Sequence, residues 1–253
     1  MSLVPVRQSP DHRSAQVTQL LFGDHYSICE TTADGQWHRI RIEYDEYEGW
    51  VSSVQHFMVS EDYFDYLNKT EFKVSTDLVA SLLFRKELIQ ILIGSVLPIS
   101  STELFQIEEQ LAFNGSSKNM GEKRDFEFLR ETAMKYRNAP YQWGGKSPFG
   151  IDCSGLTQQV FRICGYRLLR DAWQQYQQGE SVSSLDSALP GDLLFFNQDG
   201  GRIGHVGILL EDGNLIHASG RVRLDRVDAA GQIHTQSGLH SHHLVGIRRI
   251  LRT

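Results

Sequence analysis

Short alternating segments separated by turn residues fill the first 55 residues, and this pattern constrains the fold more than any other feature. In Trp37–Ile42 polar and apolar residues alternate, which is typical of a strand with one buried face. Asp34–Gly35, just before it, favours a tight hairpin turn. The further strand-like segments are 4–7, 17–22, 26–29 and 50–51. Five short strands in about fifty residues predict a small β-barrel domain over residues 1–55.

The next sixty residues carry a weaker pattern. Leu82–Phe84 and Glu87–Val96 are strand-like, whereas Asp62–Leu67 fits either a short helix or a strand. The run Asn114–Asn119 is small and polar, so we predict a linker there. We therefore expect a second domain over residues 56–115.

The remainder, residues 121–253, begins with helices and continues with strands. Asp125–Arg137 has apolar residues at helical spacing, and a second helix is expected to begin at Cys153 or Ser154 and to stop at Gly165. The strand-like segments that follow are 193–196, 205–210, 215–218 and 244–251. Helices followed by strands predict an α+β domain.

Charge and cysteine content narrow the possible partners and compartments. The chain has 25 Lys+Arg against 31 Asp+Glu, a net charge of −6, which argues against a nucleic-acid partner. The longest apolar stretch, Leu88–Ile99, is interrupted and too short to cross a membrane. Three cysteines cannot form a multi-disulfide framework, so a reducing compartment is the simplest interpretation. Met1–Arg7 has no export signal, which predicts a cytoplasmic protein unless a leader has been removed. We also expect a monomer.

Cys153 has the surroundings of a nucleophile. At a helix start, the helix dipole and unpaired N–H groups stabilise a thiolate, which predicts a lowered pKa for Cys153. The same N–H groups can stabilise an oxyanion on an attacked carbonyl. Cys164, on the apolar face of the same helix, and Cys29, inside a predicted strand, are interpreted as structural.

A nucleophilic thiolate needs a base and a residue that orients the base, and His205 and His217 are the candidates. The turn Glu211–Gly213 between them decides whether they meet. A two-residue loop would put the histidines on opposite faces of the hairpin. A three-residue loop with a left-handed Gly213 would place His217 opposite Gly207 and leave His205 as its diagonal neighbour on the same face. We predict the three-residue loop.

Together, these motifs resemble those of the NlpC/P60 family of papain-like cysteine peptidases. The motifs are Asp152–Gly155, Gly204–Ile208, Ile216–Gly220, Pro190–Phe196 and Tyr141–Gly145. In the first domain, the segments Val4–Arg7, Gln19–Asp24 and Gly49–Val51 resemble a bacterial SH3-type module. By its position, 56–115 resembles a second, diverged module of that kind. The fold class that the resemblance implies is α+β, a papain-like NlpC/P60 catalytic domain preceded by one or two small SH3-like β-barrels.

The resemblance also implies roles for individual residues. Cys153 would be the nucleophile, His205 the general base and later acid, and His217 the polar residue that orients it. The residues that match substrate-groove positions are Tyr141, Trp143, Asp152, Ser154, Arg170 and Asp171. Ala172 departs from the serine that relatives often carry after Arg-Asp, so a hydroxyl contact to substrate is missing. Tyr47 is a candidate contact from the first module.

With its SH3-type modules, the chain resembles those family members that cut murein peptides at the γ-D-glutamyl–diamino acid bond. The first module restricts their substrates to peptides with a free amino-terminal L-alanine, and Asp152 could face its ammonium group. This implies a murein-derived peptide as partner and a role in cell-wall recycling. Two alternatives stay open: a thiol amidase or acyltransferase acting on another amide or ester, and a non-catalytic wall-binding SH3 protein.

Four histidines near the carboxyl end, His234, His240, His242 and His243, raise the question of a metal. Their spacing lacks the helical pair of a zincin, and no cysteine lies nearby. We therefore expect a solvated loop or lid there, with no metal and no cofactor.

Overall fold

The chain divides into two units in a computed structural model. The described residues are 1–84, 86–98, 111–197, 201–235 and 238–251. The first unit consists of Met1–Glu122 and Trp143–Pro148. The second unit consists of Lys123–Gln142 and Phe149–Thr253.

Five antiparallel strands open the first unit, as predicted. They are β1 (Leu3–Arg7), β2 (Gln16–Leu21), β3 (Tyr26–Thr31), β4 (Trp37–Ile42) and β5 (Glu48–Ser52). Their order in the sheet is β2-β1-β5-β4-β3. Ile40 and Ile42 of β4 lie in the apolar core, whereas Arg39 and Arg41 form ion pairs with glutamates at the surface. Cys29, interpreted from the sequence as structural, is instead exposed, like its neighbours in β3, which is the end strand of the sheet.

Within the described residues, the rest of Met1–Glu122 contains one α-helix and two small sheets. The elements are α1 (Glu61–Lys69), β6 (Lys73–Ser75), β7 (Val79–Phe84), β8 (Glu87–Leu92), β9 (Val96–Leu97), β10 (Leu111–Asn114) and β11 (Ser117–Asn119). The two three-stranded sheets have the orders β10-β7-β8 and β11-β6-β9. A second SH3-type domain over residues 56–115 stays a prediction.

Two predictions in this region are wrong. The strand expected over Glu87–Val96 is broken, because Gly94 adopts a φ of 85° between β8 and β9. The linker expected at Asn114–Asn119 consists of strand ends: Asn114 pairs with Ser81, and Ser117 pairs with Ser75. Polar composition alone did not reveal that their backbone groups have strand partners.

A short segment, Trp143–Pro148 with β12 (Lys146–Ser147), belongs to the first unit. The side chain of Gln16 donates to the carbonyl of Trp143 at 3.1 Å, and the Lys146 amide donates to Gln19 Oε1 at 2.8 Å. Lys146 Nζ lies 3.9 Å from Asp24 Oδ2, with both side chains buried. These contacts join the segment to β2 and the turn after it, and a catalytic domain over 121–253 stays a prediction.

The second unit is α+β, as the sequence predicts. Its helices are α2 (Phe126–Lys135), α3 (Cys153–Ile163) and α4 (Ala172–Gln175). Helix α3 begins at Cys153, is buried along its whole length, and stops before Gly165, whose φ is 85°. Within the described residues, no helix has the length and apolar character needed to cross a bilayer.

Helix α3 packs against a sheet that closes on itself. The strands of this unit are β13 (Gly150–Ile151), β14 (Glu180–Val182), β15 (Leu193–Asn197), β16 (Ile203–Leu209), β17 (Asn214–Ser219), β18 (Arg221–Val227), β19 (Gln232–Thr235) and β20 (Gly238–Arg249). The sheet order is β14-β20-β15-β16-β17-β18-β19, and β19 also pairs with β20, so β15 to β20 form a closed six-stranded barrel. His243 lies in β20, so the loop predicted around the carboxy-terminal histidines is wrong.

Candidate active site

The β16–β17 hairpin brings the two predicted histidines together. The three-residue turn Glu211–Gly213 connects the strands, with Gly213 at a φ of 71°. The amide of Leu210 donates to the carbonyl of Asn214 at 2.7 Å. His217 lies opposite Gly207, so His205 is its diagonal neighbour on the same face. The predicted loop length and register are confirmed.

Both imidazole rings are buried and joined by a hydrogen bond. His205 Nε2 lies 2.7 Å from His217 Nδ1, and the two side chains lie in a barrel wall that excludes solvent from them. His217 Nε2 in turn lies 3.0 Å from Asp225 Oδ2 on β18. Arg223 forms an ion pair with the same carboxylate at 2.9 Å. The hydrogen-bonded series therefore extends from His205 through His217 to an ion pair.

Cys153 is the first residue of α3, and its thiol lies beside the strand that carries His205. The Asp152 side chain caps the helix by accepting from the Gly155 amide at 2.7 Å. Cys153 Sγ lies 3.9 Å from the carbonyl oxygen of Gly204 and accepts from the backbone N–H groups of Val206 and Ser154. Since Gly204 and Val206 flank His205 in β16, the thiol lies beside the backbone segment that carries the predicted base.

The lowered pKa predicted for Cys153 is wrong. Burial raises the pKa of the Cys153 thiol to about 12, and the charge of the Asp152 carboxylate acts in the same direction. The N–H groups of Val206 and Ser154 and the Arg170 guanidinium lower the pKa but do not offset burial. A helix start can be recognised in a sequence, whereas the depth at which the folded chain buries the thiol cannot.

Asp152, Ser154 and Arg170, three of the predicted groove residues, form one buried network. Arg170 donates to Asp152 Oδ1 at 3.0 Å and to Asp152 Oδ2 at 2.6 Å. It also donates to the Ser154 hydroxyl at 2.9 Å. The Arg170 side chain is only 1% exposed, so the pair is shielded from solvent. Asp152 therefore has a cationic partner within the protein, which the sequence interpretation of Asp152 as an ammonium site did not include.

The other predicted groove residues are distributed over both units. Tyr141, in the second unit, is 38% exposed; burial, followed by the charges of Cys153 and Asp152, raises its pKa to about 12. Asp171 caps α4 in a capping box with Gln174. Tyr47 and Trp143 belong to the first unit. Substrate contacts of these residues stay predictions.

Three residues that hold His217 and the start of α3 in place are not among those predicted from the sequence. Asp225 and Arg223 follow His217 on the next strand, and only the β17–β18 register shows that Asp225 reaches the imidazole. Gln175 of α4 accepts from Thr157 at 2.7 Å and donates to the Ser154 carbonyl at 3.0 Å, which ties α4 to the first turn of α3. The alternation Arg223, Asp225 after a turn was the available signal for the first two.

Two further predictions concern cysteine and metal chemistry. Cys164 is fully buried at the end of α3, which agrees with a structural role. His234 Nε2 lies 2.6 Å from Asp228 Oδ2, and the side chains of His240 and His242 lie outside the described part of the chain. Among the side chains that are described, no group of three or more His, Cys, Asp or Glu is arranged to hold a metal ion.

This geometry has the parts required for nucleophilic acyl transfer. A thiol, an adjacent imidazole and a second imidazole that orients the first form the arrangement of a thiol hydrolase. Because burial keeps the proton on Cys153, the attack requires that the proton pass to His205 as the new bond forms. The backbone N–H groups of Val206 and Ser154, which lie close to Sγ, are available to donate to an oxyanion that develops there.

The α+β fold and this site define a thiol hydrolase of papain-like architecture. Comparison with known families shows which family each domain matches. Residues 138–242 match the NlpC/P60 family, and residues 6–55 match the bacterial dipeptidyl-peptidase SH3 domain. The chain thus carries an NlpC/P60 peptidase domain, with an SH3 domain of the bacterial dipeptidyl-peptidase type ahead of it.

Two curated relatives and one solved structure extend over most of the chain. Gamma-D-glutamyl-L-lysine dipeptidyl-peptidase of Bacillus subtilis is 29% identical over 79% of this chain and 71% of its own length. Dipeptidyl-peptidase 6 of Lysinibacillus sphaericus is 27% identical over 83% of this chain and 82% of its own. The crystal structure of an NlpC/P60 family protein from Bacillus cereus aligns over 99% of this chain and 98% of that one, with a TM-score of 0.82 and 21% identity. That structure supports the fold.

Proposed function

We propose that this protein is a cysteine endopeptidase that hydrolyses the γ-D-glutamyl–diamino acid bond of murein stem peptides with a free amino-terminal L-alanine. The observation that carries the proposal is the position of the Cys153 thiol, 3.9 Å from the Gly204 carbonyl oxygen in the strand that carries His205, whose ring is hydrogen-bonded to His217 at 2.7 Å. The relatives support the substrate class, because both are dipeptidyl-peptidases and one is named for γ-D-glutamyl-L-lysine.

In the first half of the reaction, His205 takes the thiol proton while Cys153 Sγ attacks the γ-carbonyl carbon of the D-glutamyl residue. The carbonyl oxygen becomes an oxyanion, which the N–H groups around Sγ stabilise. The tetrahedral intermediate then collapses. The carbon–nitrogen bond breaks, the diamino acid leaves, and its nitrogen takes the proton from His205.

The second half releases the dipeptide. His205 accepts a proton from water as the water oxygen attacks the thioester carbonyl. Collapse of this intermediate breaks the carbon–sulfur bond and returns the proton to the thiolate, which yields L-Ala-D-Glu and the free enzyme. His217 orients the ring of His205 in both halves.

Recognition of the free amine remains part of the proposal. Asp152 supplies a carboxylate next to the nucleophile, but Arg170 already occupies both of its oxygens. The ammonium of L-alanine would therefore share this carboxylate with the guanidinium, and it would need further polar partners. Tyr141, Trp143, Ser154 and Tyr47 are the proposed sources of those contacts, with Asp171 holding the turn that carries Arg170.

Mass spectrometry of the products tests the proposal. L-Ala-γ-D-Glu-diaminopimelate and its L-lysine analogue are incubated with the protein, each beside a form acetylated at the amino terminus. Release of L-Ala-D-Glu from the free peptides alone, lost in Cys153→Ala, is the expected result. Cys164→Ala is the matched control, because it makes the same change in the same helix away from the site.

The other outcomes distinguish the alternatives. Equal cleavage of free and acetylated peptides would keep the peptidase and refute amine recognition. No cleavage, with transfer of the acyl group to an added amine or alcohol, would favour an acyltransferase. If no peptide is cleaved and the Cys153→Ala variant binds intact wall material, a wall-binding protein is favoured.

The proposal includes a cytoplasmic location and a role in recycling wall peptides. Cell fractionation followed by immunoblotting checks the location. Accumulation of uncleaved tripeptide in a deletion strain, reversed by the wild-type protein but not by Cys153→Ala, checks the role.

A further inference from the structure

The buried series of side chains behind the nucleophile is longer than a Cys-His-His triad, and its last member restricts where the protons lie. His217 Nε2 lies 3.0 Å from Asp225 Oδ2, with the His217 and Asp225 side chains each 2% exposed. Hydrogen bonds and charges of His217 and Arg223 outweigh burial and hold the pKa of the Asp225 carboxyl below its usual value. An ionised carboxylate only accepts hydrogen bonds.

We infer that Asp225 is a positioning residue that sets the tautomers of both histidines and so prepares His205 to act as the base. This inference rests on the proposed function, because it assigns a role in that reaction. Since Asp225 can only accept, His217 carries its proton on Nε2 and presents a bare Nδ1. That nitrogen accepts from His205 Nε2, which lies 2.7 Å away. The proton of neutral His205 is then on Nε2, so Nδ1 is the nitrogen with the lone pair for the thiol proton.

Arg223 determines how much positive charge the network around His217 already holds. Its guanidinium neutralises Asp225, so a protonated His217 would add a second cation to a buried network that holds one carboxylate. The ionisable groups that meet His217 in this network are His205 from β16 and Asp225 and Arg223 from β18. Neutral His217 with its proton on Nε2 is the form that satisfies every contact. When His205 becomes protonated, its Nε2–H still donates to His217 Nδ1, so the hydrogen bonds behind it do not change.

The arrangement makes an unusual prediction about substitutions: asparagine should be worse than alanine. Arg223 Nε and a terminal nitrogen donate to Asp225 Oδ1 at 3.2 and 3.0 Å, whereas Oδ2 has only Nε of this guanidinium nearby, at 2.9 Å. An asparagine would therefore keep its carbonyl oxygen toward Arg223 and turn its NH2 group toward His217. His217 Nε2 would have to accept, its proton would move to Nδ1, and His205 Nε2 would become the acceptor. His205 Nδ1 would then carry a proton and could not act as the base.

The test combines histidine NMR with kinetics on the full chain. Two-dimensional ¹H–¹⁵N spectra that correlate ring nitrogens with carbon-bound ring protons show which nitrogen is protonated, and His217→Gln assigns the signals. We expect Nε2–H on both histidines in the wild type and Nδ1–H on His217 in Asp225→Asn. We expect kcat to fall about 100-fold or more in Asp225→Asn and about tenfold in Asp225→Ala, with KM changed less than about threefold.

Asp192→Asn is the matched control, because Asp192 is equally buried and pairs with Arg249 but contacts neither histidine. It should keep the wild-type tautomers and kcat. A wild-type His217 protonated on Nδ1 would overturn the inference without any variant, and so would a loss in Asp225→Ala as large as in Asp225→Asn. If the wild type cleaves no murein peptide, the proposed function fails, whereas the NMR spectra still decide the proton positions.

Discussion

Replacement of Arg170 by methionine removes the cation that faces Asp152 at the amino terminus of α3. The guanidinium makes three hydrogen bonds there, two to the Asp152 carboxylate and one to the Ser154 hydroxyl. Methionine keeps much of the side-chain volume, so the change removes charge and donors more than packing. The Asp152 carboxylate would stay in a site that is nearly closed to solvent.

The size of the effect follows from burial. The side chains of Arg170 and Asp152 are 1% and 9% exposed, so water compensates little of the lost interaction. Removal of one partner from a buried ion pair costs about 3–5 kcal/mol. Because about 1.4 kcal/mol corresponds to a tenfold change in an equilibrium constant, the opening equilibrium of α3 should rise between about 100-fold and several thousand-fold.

Hydrogen exchange followed by mass spectrometry measures this locally, which avoids assuming that the two units unfold together. We expect peptides covering Cys153–Ile163 to exchange faster in Arg170→Met by that factor. Arg170→Lys, which keeps the charge but not the paired donors, should show a smaller increase. Arg39→Met is the control, because Arg39 pairs with Glu30 and Glu48 at the surface and its side chain is 39% exposed.

For Arg39→Met the increase in exchange should be small, because water and salt screen exposed ion pairs. Equal increases in exchange around Arg39 and around α3 would refute the reasoning, because burial would then not be what makes the Arg170 pair strong. So would an α3 that exchanges at the wild-type rate in Arg170→Met.

Three further predictions concern the thiol, the hairpin and the first unit. With the pKa of Cys153 raised to about 12, the rate at which iodoacetamide alkylates Cys153 should increase about tenfold per pH unit between pH 7 and 10, because only the thiolate reacts. A plateau of this rate below pH 8 would contradict the prediction. Gly207→Ala would place a Cβ 2.8 Å from Leu215 Cγ and 3.0 Å from the Cβ of His217, so kcat should fall about 10–100-fold in the peptide assay, and an unchanged kcat would contradict this. Lys146→Met removes the buried cation beside Asp24 and should destabilise the first unit by about 3–5 kcal/mol in hydrogen exchange of β2, where wild-type protection would count against the pairing.

Local patterns in the sequence predicted much of the fold and the core of the site. The five strands of the first domain, the start of α3 at Cys153 and its stop before Gly165 follow from alternation and helix-end signals. The register of the β16–β17 hairpin follows from its turn, because a left-handed Gly213 fits a three-residue loop. That register places His205 and His217 on one face of the hairpin.

The ion pairs of the site and the pKa of its thiol depend on the tertiary structure. Neighbours distant in sequence set the surroundings of each group: Arg170 reaches Asp152 from 18 residues away, and burial reverses the expected pKa shift of Cys153. Asp225 meets His217 only through the β17–β18 pairing. Turn and helix-end chemistry acts over a few residues and can be read from the sequence, whereas desolvation and ion pairing depend on which segments the fold brings together.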